Sequence, residues 1–117
     1  MSAVTVAFVG SLVYQFPPLL GLLQEHLDDQ EGEVLPHLFV ADLERWIEAE
    51  VLRHDGQPSE LATKILDFLE TAVQRDDEVA ELIHTSFLEH VPRPGQPGAE
   101  IRTNLGPALT ERLRQIG

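Results

Sequence analysis

Cysteine is absent from this 117-residue chain. That excludes a disulfide framework, a thiolate metal site and a cysteine nucleophile, and it is compatible with the reducing cytosol. Aromatic residues are few: five Phe, one Tyr and one Trp. Positive charge is scarce as well, with 8 Lys and Arg against 20 Asp and Glu, for a net charge of −12. Such a balance repels phosphate backbones, so nucleic acid is not an expected ligand. The first 24 residues contain no charge of either sign; Glu25 is the first. This stretch has no basic leader region and no small-residue cleavage signal. Gly10, Gln15, Pro17 and Pro18 interrupt it well short of the ~20 apolar residues a membrane span needs. The expectation is a cytoplasmic protein with no membrane contact.

The charge that is present is distributed unevenly. Residues 1–92 hold 18 acids and 4 bases, net −14, whereas residues 93–117 hold 4 Arg against 2 Glu, net +2. A field of this sign favours a basic partner and speeds its encounter; solubility alone would also account for it.

The length suits one domain, residues 1–117. Residues 3–15 carry β-branched Val4, Thr5 and Val6, which favour a strand. The length of the run, and Ser11 and Gln15 one turn apart, favour a helix, which is the reading adopted. Phe16-Pro17-Pro18 ends it, and Pro18 opens a second helix that stops at Gly32. A third runs from Leu35-Pro36 to about Leu52. Ser59 caps a fourth, whose apolar set from Leu61 to Val73 occupies one arc, with Lys64, Asp67, Glu70, Thr71 and Gln74 on the other. Asp76 or Asp77 caps a fifth, expected to continue to Val91. Residues 92–98, "PRPGQPG", form an exposed loop. A short turn around Ile101–Leu105 and a last helix, Pro107 to Ile116, complete an all-α, compact single-domain bundle of five to seven short helices.

The third helix poses the sharpest question. With Leu35 at the origin and about 100° per residue, Leu38, Phe39, Leu43, Trp46, Ile47 and Ala49 share one arc. Asp42 falls inside it, and Arg45 lies on its margin one turn away. His37, Glu44 and Glu48 fall on the side facing water. A buried acid needs a partner. Asp42 is therefore expected to be buried and hydrogen-bonded, to a helix N-terminus, Arg45 or Arg53, or else to await a partner's cation. A catalytic carboxylate is the weaker reading, because no second acid or base stands beside it at useful spacing.

The segment "EVLPHLFVADLERW", with "ILDFLE", "SFLEH" and "LGPAL" further on, resembles an uncharacterised family of small acidic all-helical bacterial proteins. Its signature here is L-P-H-x-F-x-x-D-x-x-R-W over residues 35–46. Family members look like immunity proteins, the small partners that neutralise secreted toxins, and the resemblance implies the same for this chain.

Other patterns argue less. Glu81-x-x-His84 has the spacing of di-iron bundles, but those need two such pairs, so no metal is expected. His90 and Ser86 project into the apolar arc of the fifth helix; His26, His37 and His54 sit in acidic or loop contexts and read as solvated. No nucleophile motif, phosphate loop or dinucleotide fingerprint occurs, so no cofactor and no catalytic residue is assigned. The expected function is a non-catalytic acidic protein-binding domain, with an immunity protein facing a basic toxin domain as its concrete form. Its contact residues would be Asp28, Asp29, Glu31, Glu33, Glu44 and Glu48 with His37, Asp42, Arg45 and Trp46. A pocket around Asp42, Arg45 and Trp46, binding a small molecule or acting as an enzyme, is the alternative. A homodimer through the uncharged residues 4–20 is the second alternative.

Overall fold

Six α-helices and three short 3-10 helices, with no strand, make up residues 2–116, the part of the chain that the computed structural model describes. The α-helices are α1 (Ala3–Gln15), α2 (Leu20–Asp29), α3 (Pro36–Arg53), α4 (Glu60–Ala72), α5 (Asp77–Ser86) and α6 (Pro107–Ile116); the 3-10 helices span Pro17–Leu19, Leu88–His90 and Ala99–Asn104. The all-α expectation therefore holds, and the radius of gyration of 13.4 Å matches the ~13 Å of a compact chain of this length.

Local signals start most of these helices. Ser2 Oγ accepts the Thr5 N–H at 3.2 Å, which settles the strand-prone opening of α1 as helix. Phe8, Val9 and Leu12 then bury one side of it. The opposite side of α1, with Ala3, Val4, Ala7, Gly10 and Tyr14, is exposed. Pro17 and Pro18 turn the chain through 117° before α2, which begins at Leu20, two residues later than expected. No single described helix is long and apolar enough to cross a membrane. Asp76 caps α5 by accepting the Val79 N–H at 3.0 Å. That helix stops at Ser86 and is followed by a 3-10 turn, Leu88–His90; Val91 is extended, since proline disfavours helical backbone in the residue before it. His90 is exposed and Ser86 buried, so only the serine keeps the core place expected of the pair.

One apolar cluster joins the elements. α3 packs on α1 and α5, and α4 packs on α5 and α6. Leu12, Phe39, Leu43, Ile47, Ile65, Leu69, Ile83, Phe87, Ile101 and Leu109 lie at its centre with 2% exposure or less.

Two carboxylates, Glu50 of α3 and Glu70 of α4, each serve the N-terminus of a later helix. Glu50, at the end of α3, accepts Ser59 Oγ–H at 2.9 Å, and the same Ser59 Oγ accepts the Ala62 N–H of α4 at 3.1 Å. Glu50 Oε2 also pairs with Arg53 at 2.8 Å. Glu70 reaches further. Gly106, the residue before α6, has no side chain with which to cap that helix. Instead the two Glu70 oxygens accept the Ala108 and Leu109 N–H groups at 2.9 and 3.0 Å. A carboxylate on exposed helix donors satisfies both the hydrogen bonds and the helix dipole. Gly106 is required at that approach: a Cβ there would lie 2.5 Å from the Glu70 carboxyl carbon.

Glu70→Ala is expected to lower stability by about 1–2 kcal/mol through loss of the cap. Glu70→Gln, which keeps one acceptor, should lose less, and Gly106→Ala should resemble Glu70→Ala. Urea unfolding measures the loss, and amide exchange at Ala108 and Leu109 localises it. An unchanged midpoint in Glu70→Ala would remove the cap from the account.

Candidate functional site

The core contacts of α3 set the direction of every candidate side chain on it. Phe39, Val40, Leu43, Ile47 and Val51 are fully buried. Leu38 and Ala49, expected on the buried arc, are exposed. The true buried arc is therefore rotated by roughly a quarter of a turn from the one centred on Leu35, Leu38 and Trp46.

Asp42 consequently sits at the rim rather than inside. Its side chain is 31% exposed and pairs with the Arg45 guanidinium one turn away. The expected burial is corrected; the expected partner is found. The second Asp42 oxygen lies 4.0 Å from Nδ1 of His26. His26, expected in solvent, is buried to 2% exposure. Its Nε2 accepts the Leu35 N–H at 3.0 Å, which places the proton of the neutral ring on Nδ1, the nitrogen nearest Asp42. The ring stands edge-on to Phe39 with centroids 5.7 Å apart. His26 thus ties the end of the loop after α2 to the start of α3.

A groove of about 320 Å³ opens beside this pair, lined by Leu22, Glu25 and Asp29 of α2 and by Asp42, Arg45 and Trp46 of α3. Four of the sequence candidates, Asp29, Asp42, Arg45 and Trp46, meet here. Leu22 and Glu25 complete the wall and were not singled out, because only the packing of α2 on α3 brings them there. Three carboxylates face one guanidinium, and the half-buried indole of Trp46 supplies a flat apolar side. Asp28, Glu31 and Glu33 are exposed along the end of α2 and the loop that follows. His37 is exposed too, in a separate shallow groove with Thr5, Leu35, Pro36 and Leu82.

Glu44 is the largest departure from expectation. Placed on the water side by the helical wheel, it has no exposed surface, and neither carboxyl oxygen meets a protein donor. The corrected arc explains it: Glu44 follows Val40 by one turn and precedes Val51 by two. Burial, reinforced by Glu48 one turn on, pushes its carboxyl from the ordinary 4.5 up to about 9, while Arg45 pulls weakly the other way. Glu44 therefore keeps its proton at neutral pH. Glu48 is half-buried. Its side chain lies close to the loop 92–98: a Cβ on Gly98 would stand 3.3 Å from both Glu48 Cγ and Pro92 Cγ. The expectation that Glu44 belongs to an acidic contact surface is therefore corrected. Glu44 does not line the Asp42 groove, so its proton acts on the fold.

The chain belongs to the family described as domain of unknown function DUF7674, whose model matches residues 9–116. No curated protein and no solved structure matches the chain.

The buried acid gives a signed pH dependence. Between 4.5 and about 9 the folded protein keeps a proton that the unfolded chain has released. The stabilisation is complete below the lower value and is lost as pH rises to the upper one, by at most about 1.4 kcal/mol per pH unit. Glu44→Gln preserves the neutral shape and can donate to Glu48. It should be more stable than wild type at pH 8 by about 1–3 kcal/mol, with the gap closing towards pH 5. Thermal unfolding of both proteins across that range decides it, and parallel curves would refute a protonated Glu44.

Proposed function

We propose that the protein is a non-catalytic binding module for a basic protein surface, in the way an immunity protein engages its toxin. The observation that carries the reading is the groove in which Glu25, Asp29 and Asp42 face a single cation, Arg45, beside Trp46. A guanidinium or ammonium from a partner would complete its charge and could stack on the indole.

The surrounding acids support the same reading. Asp28 and Asp29 stand in the last turn of α2, where the helix dipole disfavours negative charge. Glu31 adopts φ +54°, a left-handed conformation unfavourable for a residue with a side chain. Among the described residues, none of Glu25, Asp28, Asp29, Glu31 and Glu33 forms an ion pair within the chain. The fold gains nothing from charge at these positions, which is the pattern of residues kept for an external partner.

The concave shape of the groove favours a second reading, a site for a small cationic molecule on the same residues. An enzymatic form of it has less support, since Asp42 is already engaged by Arg45. A homodimer through residues 4–20 is a further proposal. It rests on the exposed, charge-free face of α1, where Val4 is 41% and Tyr14 87% exposed.

Trp46 is the only tryptophan, so its fluorescence reports on the groove without a label. An oligo-arginine peptide is expected to change that emission saturably at low salt. The affinity should fall steeply as salt rises and the Debye length shortens to ~8 Å at 0.15 M. Glu25→Gln combined with Asp29→Asn should weaken binding about tenfold, or about 1.4 kcal/mol. Free arginine binding as tightly as the peptide would favour the small-molecule reading. Equal binding of an acidic peptide, or indifference to salt, would overturn both.

A further inference from the structure

A second groove, also about 320 Å³, lies between α1, α4 and the start of α5. Its floor is apolar, made by Phe8, Phe68, Ala72 and Val79. Phe68 is held in place by neighbouring rings: its centroid is 6.1 Å from that of Phe8 and 5.6 Å from that of Phe16, which meets it edge-on. The rim is polar, and its donors can be accounted for one by one. Ser11 Oγ–H is given to the Phe8 carbonyl at 2.7 Å and Thr71 Oγ1–H to the Asp67 carbonyl at 3.3 Å. Asp76 accepts the Val79 N–H at 3.0 Å. Arg75 remains. Among the described residues its guanidinium makes no ion pair and no hydrogen bond, although Arg45, Arg53, Lys64 and Arg114 all pair with a neighbouring acid.

From this groove we infer a binding site for a small apolar molecule bearing one carboxylate, its body on Phe8, Phe68, Ala72 and Val79 and its carboxylate on Arg75. Arg75 is the one rim side chain with donors still to give, Asp76 keeping one carboxylate oxygen beside it, and a planar carboxylate on the ligand matches the guanidinium fork. The chain's net charge of −12 opposes multiply charged anions such as phosphates, which leaves a single negative charge on an apolar body. The volume admits about ten non-hydrogen atoms at roughly 30 Å³ each, the size of a medium-chain fatty acid or an arylalkanoic acid. This site shares no residue with the anionic groove of α2 and α3, and the inference does not depend on the binding function proposed there.

The test uses octanoate, with 1-octanol and octylamine as neutral and cationic counterparts, followed by two-dimensional NMR of the whole chain. Octanoate should shift the resonances of Phe8, Phe68 and Val79 saturably, with half-saturation near or below about 1 mM. Arg75→Gln should weaken octanoate about tenfold and leave octanol unchanged. Ala72→Phe, which fills the groove, should abolish both, and its melting curve checks that it is folded. Should Ala72→Phe fail to fold, Ser11→Phe blocks the same opening from exposed α1. The inference is overturned if octanol or octylamine binds as well as octanoate, or if Arg75→Gln leaves octanoate binding unchanged. It is also overturned if the wild type sediments as a dimer that covers the groove and excludes all three probes.

Discussion

Because Val40, Leu43, Ile47 and Val51 go to the core, α3 is fixed in rotation, and most of what distinguishes this protein follows from that one setting. The four side chains are completely enclosed, and a slip in the phase of the helix would exchange buried apolar side chains for exposed ones at about 1.5–3 kcal/mol each. With α3 so held, Asp42 and Trp46 fall on its margin, where α2 can add Glu25 and Asp29 to make a groove. The same rotation carries Glu44 inside. The groove and a buried acid thus have a single structural cause, and Asp42 and Glu44 are separated by two positions of sequence.

Three glutamates are then drawn out of water, and each is reconciled with the core by different chemistry. Glu50 is held by Ser59 and Arg53. Glu70 takes two amide donors from a helix that has no cap of its own. Glu44 finds no donor and keeps its proton. The three outcomes follow from what each carboxylate can reach. An unpaired buried ion costs more than a change of protonation state, so where no donor is within range the group neutralises. The formal charge of −12 counts Glu44 as ionised. With its proton kept, as a pKa of about 9 requires at pH 7, the folded chain carries −11.

The helices were legible in the sequence because their signals are local. Ser2, Ser59 and Asp76 accept backbone N–H groups of the next turn, and the apolar arc of α4 is regular enough to name its buried side. Part of the groove was legible for the same reason: Asp42, Arg45 and Trp46 lie within four positions and share a helix margin. The rest needs contacts that no spacing encodes. Glu70 meets Ala108 and Leu109 across 38 and 39 residues, and on the helical wheel of α4 it is simply an outer acid. His26 reads as solvated among acids until Leu35, nine residues on, returns its N–H to the ring. Glu44 was misplaced for a different reason. Leu35, Leu38 and Ala49 were given core weight while Val40 and Val51 were left out of the arc. The error lay in the choice of apolar residues, and a wheel that included those two valines would have turned Glu44 inward.

The two grooves are electrostatic opposites, and the packing shows why they can coexist. One is polar and rich in carboxylate, built where α2 meets α3, and one of its acids, Asp29, stands at a helix end that does not favour it. The other is apolar, with one free guanidinium, built where α1 and α4 meet the start of α5. Arg45, Arg53, Lys64 and Arg114 are each neutralised by an acid one helical turn away. Arg75 escapes that fate because the chain leaves the helix at Val73, the cap of α4, so no following turn places an acid beside it. The acid next in sequence, Asp76, is bound to the Val79 N–H in starting α5. An inter-helix junction thus keeps a positive charge available in a strongly negative protein. The same kind of junction at the other end of α2 leaves Asp28 and Asp29 without a cation. In both places the charge that forms no ion pair among the described residues stands at or just beyond the end of a helix.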